Sequence, residues 1–129
     1  MADLRSYKIL AIDDDPLILD LIELFLTEFS VSTARGGGRG TSLLQTLRPN
    51  LIILDVSMPD IDGLKVLRWI RDQRKLDQTT VMMLTSKADR ETVTDAMKAG
   101  ADGYMIKPFT GENLMRRVRQ MLKQIRIKA

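Results

Sequence analysis

The sequence has no cysteine and no histidine. The first absence excludes disulfides, thiolate nucleophiles and cysteine-based zinc sites, and the second excludes Ser-His-Asp triads and imidazole metal ligands. A bound metal would have to be held by oxygen, which favours Mg²⁺, Ca²⁺ or Mn²⁺. Long hydrophobic runs are absent as well. The most apolar region, residues 17–29, is broken by Asp20, Glu23 and Glu28, and the N-terminus carries Asp3, Arg5 and Lys8 in place of a signal-peptide core. A soluble, cytoplasmic protein without membrane insertion is expected. There is no internal repeat, no low-complexity tract and no linker leading to a second domain.

What is present fits one globular domain: 129 residues, 44% apolar and 29% charged. The formal charge of +3 is unevenly spread. Six of the 20 bases (Arg116, Arg117, Arg119, Lys123, Arg126 and Lys128) lie after residue 112, leaving 14 against all 17 acids in residues 1–112. A mildly acidic body therefore ends in a basic tail.

Short apolar runs at residues 9–12, 31–34, 51–54, 81–84 and 104–106 alternate with amphipathic segments. Runs this short and aliphatic suit strands buried on both faces. Pro16 suits the first turn of a helix reaching about Glu28. Leu43, Leu44 and Leu47 predict one helical stripe; Leu64, Leu67 and Ile70 predict the next. Asp89 can cap a helix ending at Gly100. Leu114, Val118, Met121, Leu122 and Ile125 mark one face of a basic terminal helix over residues 110–127. This order predicts an α/β fold: a (βα)5, doubly wound, five-stranded parallel sheet with helices on both faces. Ligands of such sheets bind beyond the C-terminal strand ends.

The polar residues at those ends are Asp13, Asp14 and Asp15, the run from Arg35 to Gly38, Asp55, Thr85 with Ser86, and Lys107. Convergent carboxylates repel by several kcal/mol at ~4 Å, so they call for protonation, a base or a cation. Lys107 and a hard divalent cation can supply that charge. Together with the Thr85 hydroxyl, they can also neutralise a phosphoryl group while a carboxylate attacks phosphorus. Taken singly, each residue has a plainer role: Asp15 as a helix cap before Pro16, Thr85 as a β former, Lys107 as a solvated base and Asp55 as part of a turn.

Residues 9–16 (ILAIDDDP), 49–55 (PNLIILD), 58–63 (MPDIDG), 83–86 (MLTS) and 100–109 (GADGYMIKPF) resemble, in order and spacing, the receiver domain of two-component response regulators. The resemblance covers residues 7–122 and extends to chemotaxis-regulator-like single receivers. It implies a flavodoxin-like fold and a phosphoacceptor at Asp55, supplied by a sensor histidine kinase or phosphotransfer protein. Asp13, Asp14, Asp55 and the backbone carbonyl of Ser57 match the Mg²⁺ site, with Mn²⁺ as an alternative ion. Thr85 matches the hydroxyl that meets the phosphoryl group, Lys107 the ion-pairing lysine, and Tyr104 the switching aromatic. Lys107–Pro108 matches a cis bond. Ser57 and Lys87 fall where the family tunes phosphoryl lifetime. The domain would catalyse its own phosphorylation and dephosphorylation without being a metabolic enzyme. Its output face would be the fourth helix, fifth strand and fifth helix, about residues 89–99, 104–106 and 110–127, presented to a downstream target, an output domain or a second copy. The expected organisation is a single receiver domain over 1–129 with no output domain.

Three rivals are weaker. The run Gly36, Gly37, Gly38, Arg39, Gly40 and Thr41 follows a strand like a dinucleotide fingerprint, but Thr41 replaces its third glycine and no Walker lysine is present; otherwise it is a flexible entry to the second helix. A haloacid-dehalogenase-like phosphatase would use Asp13 and Asp15, yet only Glu112 follows Lys107 where an acidic pair is needed. Direct nucleic-acid binding by the basic helix lacks any aromatic to stack on bases.

Overall fold

The computed structural model describes residues 4–86 and 89–128, with side chains as far as Gln124. After a 3-10 turn at Leu4–Ser6 come β1 (Lys8–Asp13), α1 (Pro16–Phe25), β2 (Ser30–Arg35), α2 (Gly37–Leu43), β3 (Leu51–Asp55), α3 (Gly63–Asp72), β4 (Thr80–Thr85), α4 (Arg90–Lys98), β5 (Gly103–Ile106) and α5 (Gly111–Lys128). All strand pairs are parallel, in the order β2-β1-β3-β4-β5. Each expected strand is present.

Burial separates centre from edge. Every residue of β3 and β4 is buried, whereas the edge strands β2 and β5 keep exposed positions. Successive residues of a strand point to opposite faces. Leu10, Ile12, Ile52, Leu54, Val81 and Met83 thus pack against Leu44 and against Val66, Leu67 and Ile70 of α3, with Ala96 of α4. Ile9, Ala11, Leu51, Ile53, Met82 and Leu84 pack against Leu19 and Ile22 of α1 and Leu114, Val118 and Met121 of α5. The chain runs from β1 outward to β2, then crosses back to β3. That reversal opens a crevice at the C-terminal ends of β1 and β3.

Local sequence explains the helix ends. Asp15, Asp62 and Asp89 cap α1, α3 and α4 by accepting from the backbone N–H of Leu17, Leu64 and Thr92. Gly100, at φ +102°, ends α4 with Gly100 N–H donating to Met97 and Ala101 N–H to Ala96. At the far end of the sheet, Arg71 donates to the carbonyls of Asp77, Thr79 and Gly100 and pairs with Asp102 at 2.9 Å.

Several expectations need correction. α1 stops at Phe25 rather than about Glu28, because Leu26 turns into the core and its carbonyl accepts from Phe29 N–H to start the route into β2. The stripe of Leu43, Leu44 and Leu47 is broken: α2 ends at Leu43, which is 39% exposed, while Leu44 is buried. Gly37, Gly38 and Gly40 lie within α2 rather than in a flexible entry. A Cβ on Gly40 would meet Ile12 Cδ1 at 2.5 Å, so glycine lets α2 lie close on β1. Ile125 and Lys87 fall outside the described side chains. No helix is long and apolar enough to cross a membrane among the described residues.

Candidate functional site

Four adjacent strand ends deliver the candidate residues. Asp13 closes β1, Asp55 closes β3, Thr85 closes β4, and Lys107 follows β5. Lys107 N–H donates to the Thr85 carbonyl at 2.7 Å, seating the lysine backbone against β4. The Lys107–Pro108 bond is cis. Carboxylate oxygens of Asp13, Asp14 and Asp55 all lie within 4.8 Å of one another. Lys107 Nζ is 2.8 Å from Asp13 Oδ2 and 3.3 Å from Asp55 Oδ1.

Asp13 and Asp55 are only 1% and 3% exposed, so water screens their repulsion poorly. One lysine cannot balance three acids. Burial pushes the Asp55 carboxyl up from its ordinary 3.8 to about 7; the charge of Asp13 and a hydrogen bond with Asp14 add to the rise, and Lys107 opposes it. For Lys107, burial disfavours the ammonium, but the hydrogen bond with Asp13 and the charges of Asp55 and Asp13 outweigh it and leave its pKa raised. The lysine stays protonated, while Asp55 sits between its two forms near neutral pH.

The donor set fits a hard cation. Asp13 Oδ1 accepts from Asp15 N–H at 2.9 Å. Asp13 Oδ2 is buried with the Lys107 ammonium 2.8 Å away on one side, which leaves a lone pair for a cation. A buried carboxylate oxygen with open lone pairs, beside two further acids, offers the oxygen ligands and negative charge that Mg²⁺ takes, and contains no softer ligand. Ser57 is exposed in the loop after β3. Thr85 is 3% exposed, and Tyr104 is 39% exposed on β5. Tyr104, Ile106, Phe109 and Arg117 line a groove of about 460 Å³ between β5 and α5.

Two supporting residues belong to the 58–63 stretch but carried no role of their own in the sequence. Gly63 N–H donates to the Val56 carbonyl at 2.8 Å. A Cβ there would stand 2.0 Å from the Asp55 carbonyl oxygen, so α3 can start under Asp55 only with glycine. The signal was a poor helix former directly after the Asp62 cap. Asp60 is the second. Its two oxygens accept from Gly37 N–H at 3.2 Å and Gly38 N–H at 2.9 Å. The Gly38 amide, with that of Gly37, holds its carboxyl below the ordinary range. Gly36, at φ +93°, makes room: a Cβ on it would meet Asp60 Oδ2 at 2.9 Å.

Those contacts correct the nucleotide alternative for the Gly36 to Gly40 run, because the amides that would cradle a phosphate already serve Asp60. The basic helix is also partly balanced: Arg119 pairs with Glu28 at 2.7 Å and Arg116 with Glu112 at 3.0 Å. The haloacid-dehalogenase alternative gains no further acid, since the described acidic cluster consists of Asp13, Asp14 and Asp55.

Comparison with known proteins follows the same outline. Residues 9–119 match the family model described as the response regulator receiver domain. The transcriptional regulatory protein AfsQ1 of Streptomyces coelicolor is 41% identical over 119 residues, covering 91% of this chain and 52% of that protein. The DNA-binding dual master transcriptional regulator RpaA of Synechocystis is 37% identical, covering 91% of this chain and 49% of the other. Among solved structures, the chemotaxis response regulator CheY4 of Vibrio cholerae superposes with a TM-score of 0.85 at 30% identity, over 89% of this chain and 98% of that one. The chain spans about half the length of the curated relatives it matches.

Proposed function

The chain belongs to the family of response regulator receiver domains, and from that premise we propose that it is a phosphorylation switch with Asp55 as the phosphoacceptor. The observation that carries this is the meeting of Asp13, Asp55 and Lys107 at neighbouring strand ends, with Lys107 Nζ 2.8 Å and 3.3 Å from the two carboxylates.

An Asp55 oxygen attacks phosphorus in line with the bond to a phosphohistidine nitrogen of a sensor kinase or phosphotransfer protein. The new O–P bond forms as P–N breaks, and its electron pair leaves with the imidazole. Such a donor is already reactive, so positioning and charge neutralisation suffice, and the absence of histidine and cysteine is no handicap. Lys107 holds its ammonium against the developing phosphoryl charge, and the Thr85 hydroxyl donates to a phosphoryl oxygen. Asp13, Asp14 and Asp55, with the Ser57 carbonyl, would hold Mg²⁺, or Mn²⁺ in its place; the ion supplies further positive charge to the phosphoryl oxygens. Water attacking the same phosphorus returns the domain to its resting state, so it catalyses both halves of its own cycle.

Drawing Thr85 toward the phosphoryl group frees space for Tyr104 to turn inward, which alters the face made by α4, β5 and α5. Met97, Tyr104 and Ile106 are exposed there. A downstream protein, an output domain or a second copy reads that face; direct nucleic-acid binding is disfavoured because Arg116 and Arg119 are paired with acids. Residues 1–129 act as one receiver unit with a core of about 7–122, working in the cytoplasm where sensor kinases expose their phosphohistidines.

Incubation with Mg²⁺ and acetyl phosphate, read by intact mass, tests this. One added phosphoryl group per chain is expected, absent in Asp55→Asn and with chelator. An unlabelled wild-type protein overturns the proposal.

A further inference from the structure

The Gly-rich run has a neighbour that phosphoacceptor chemistry leaves unused. A cavity of about 520 Å³ is lined by Asp14, Arg35, Gly36, Arg39, Pro59 and Asp60. Asp14 places it on the rim of the acidic cluster. Arg35 closes β2 and is the register partner of Asp13 on β1. Arg39 stands in the first turn of α2. Both arginines are exposed, and neither has a hydrogen bond or ion pair among the described residues. Asp60, the acid nearest in the loop, has already turned its carboxylate to the Gly37 and Gly38 amides. Two uncommitted guanidinium groups thus share a cavity with Asp14 of the acidic cluster.

We propose that Arg35 and Arg39 form an anion subsite that holds a second carboxylate on a small acyl phosphate donor while its phosphoryl group faces Asp55. The cavity is of small-molecule size, and a guanidinium presents paired N–H donors that match a carboxylate fork. The opposing arrangement of acids inside and bases at the rim selects the ligand. A donor with one anionic end has its phosphoryl group met at the acidic cluster only, whereas a donor with an anion at each end is met at both. In the transfer itself an Asp55 oxygen bonds to phosphorus, the bond from phosphorus to the acyl oxygen breaks, and the electron pair leaves on the departing dicarboxylate. The subsite rests on the phosphoacceptor role of Asp55 proposed above.

The test compares acetyl phosphate with succinyl phosphate at fixed Mg²⁺ and low salt, following labelling of Asp55 by intact mass over a range of donor concentration. In the wild-type protein the half-saturating concentration should be about three- to tenfold lower for succinyl phosphate, the range expected for one or two partly exposed charge-assisted contacts. In the Arg35→Ala/Arg39→Ala protein that ratio should fall to about one, and added salt should reduce it in the wild type. Lys123→Ala, which removes an exposed base on α5, should keep the wild-type ratio. These exposed side chains make no described hydrogen bond or ion pair, so both variants should fold, as checked by circular dichroism. A wild-type ratio of one, or a ratio unchanged in the double variant, overturns the subsite while leaving Asp55 as phosphoacceptor. Failure of both donors to label Asp55 overturns that role, and the subsite with it.

Discussion

Replacing Asp55 with asparagine should stabilise the metal-free protein, although it removes the proposed phosphoacceptor. Asp55 is 3% exposed, and burial with the Asp13 charge raises its carboxyl from 3.8 to about 7. The folded state therefore holds a proton that the unfolded chain releases near pH 4. A group raised in this way contributes its full stability below the unfolded value and loses it as pH climbs through the folded one. Each tenfold change in proton affinity is worth about 1.4 kcal/mol, so the ionised form costs at most ~4 kcal/mol above pH 7. Lys107 opposes the rise, and asparagine gives up the 3.3 Å contact with it. About half the ceiling, ~2 kcal/mol, is the expected gain. Urea unfolding of both proteins in chelator should show the smallest gap near pH 3.5, opening between about pH 4 and 7 and level at pH 8. Millimolar Mg²⁺ should narrow the gap at pH 8 by binding the wild-type carboxylates. A variant no more stable than wild type at pH 8, or a gap independent of pH, would refute the electrostatic account.

Lys107→Ala should lose about 3 kcal/mol at pH 8, because Asp13 and Asp55 stay buried without their shared counter-charge, and less at pH 5, where Asp55 is protonated; urea unfolding at the two pH values checks both. Gly63→Ala should cost about 3 kcal/mol, since a Cβ 2.0 Å from the Asp55 carbonyl forces backbone apart, and should slow acetyl phosphate labelling as Asp55 moves. Arg71→Lys should cost about 2 kcal/mol by thermal unfolding, because an ammonium cannot reproduce the fork that reaches Thr79, Gly100 and Asp102, while labelling of Asp55 persists.

The central strands were legible because burial on both faces demands continuous aliphatic runs such as residues 51–54, and nothing else in the chain imitates them. Asp15 and Asp89 were legible as caps because capping is local. The acidic residues with Thr85 and Lys107 were readable as a group because parallel topology sends all strand ends to one edge. Whether α2 buried Leu43 or Leu44 was not readable, since the helix is short and its phase depends on how closely Gly40 approaches Ile12. The role of Asp60 was unreadable for a similar reason: its partners lie 22 and 23 residues away in the first turn of α2, and no periodicity links them.

The five donations from Arg71 bear on how a change at the acidic cluster could travel. They tie the end of α3, the start of β4 and the turn after α4 into one block at the far edge of the sheet. α4 is thus anchored near Gly100, while its opposite end follows the strand that carries Thr85. A helix of nine residues is about 13 Å long. Tilting such a rod by about 5° around its anchored end carries the other end about 1 Å. With that end held by Arg71, movement beside the acids would reach α4 as rotation about Gly100 rather than as drift of the whole layer.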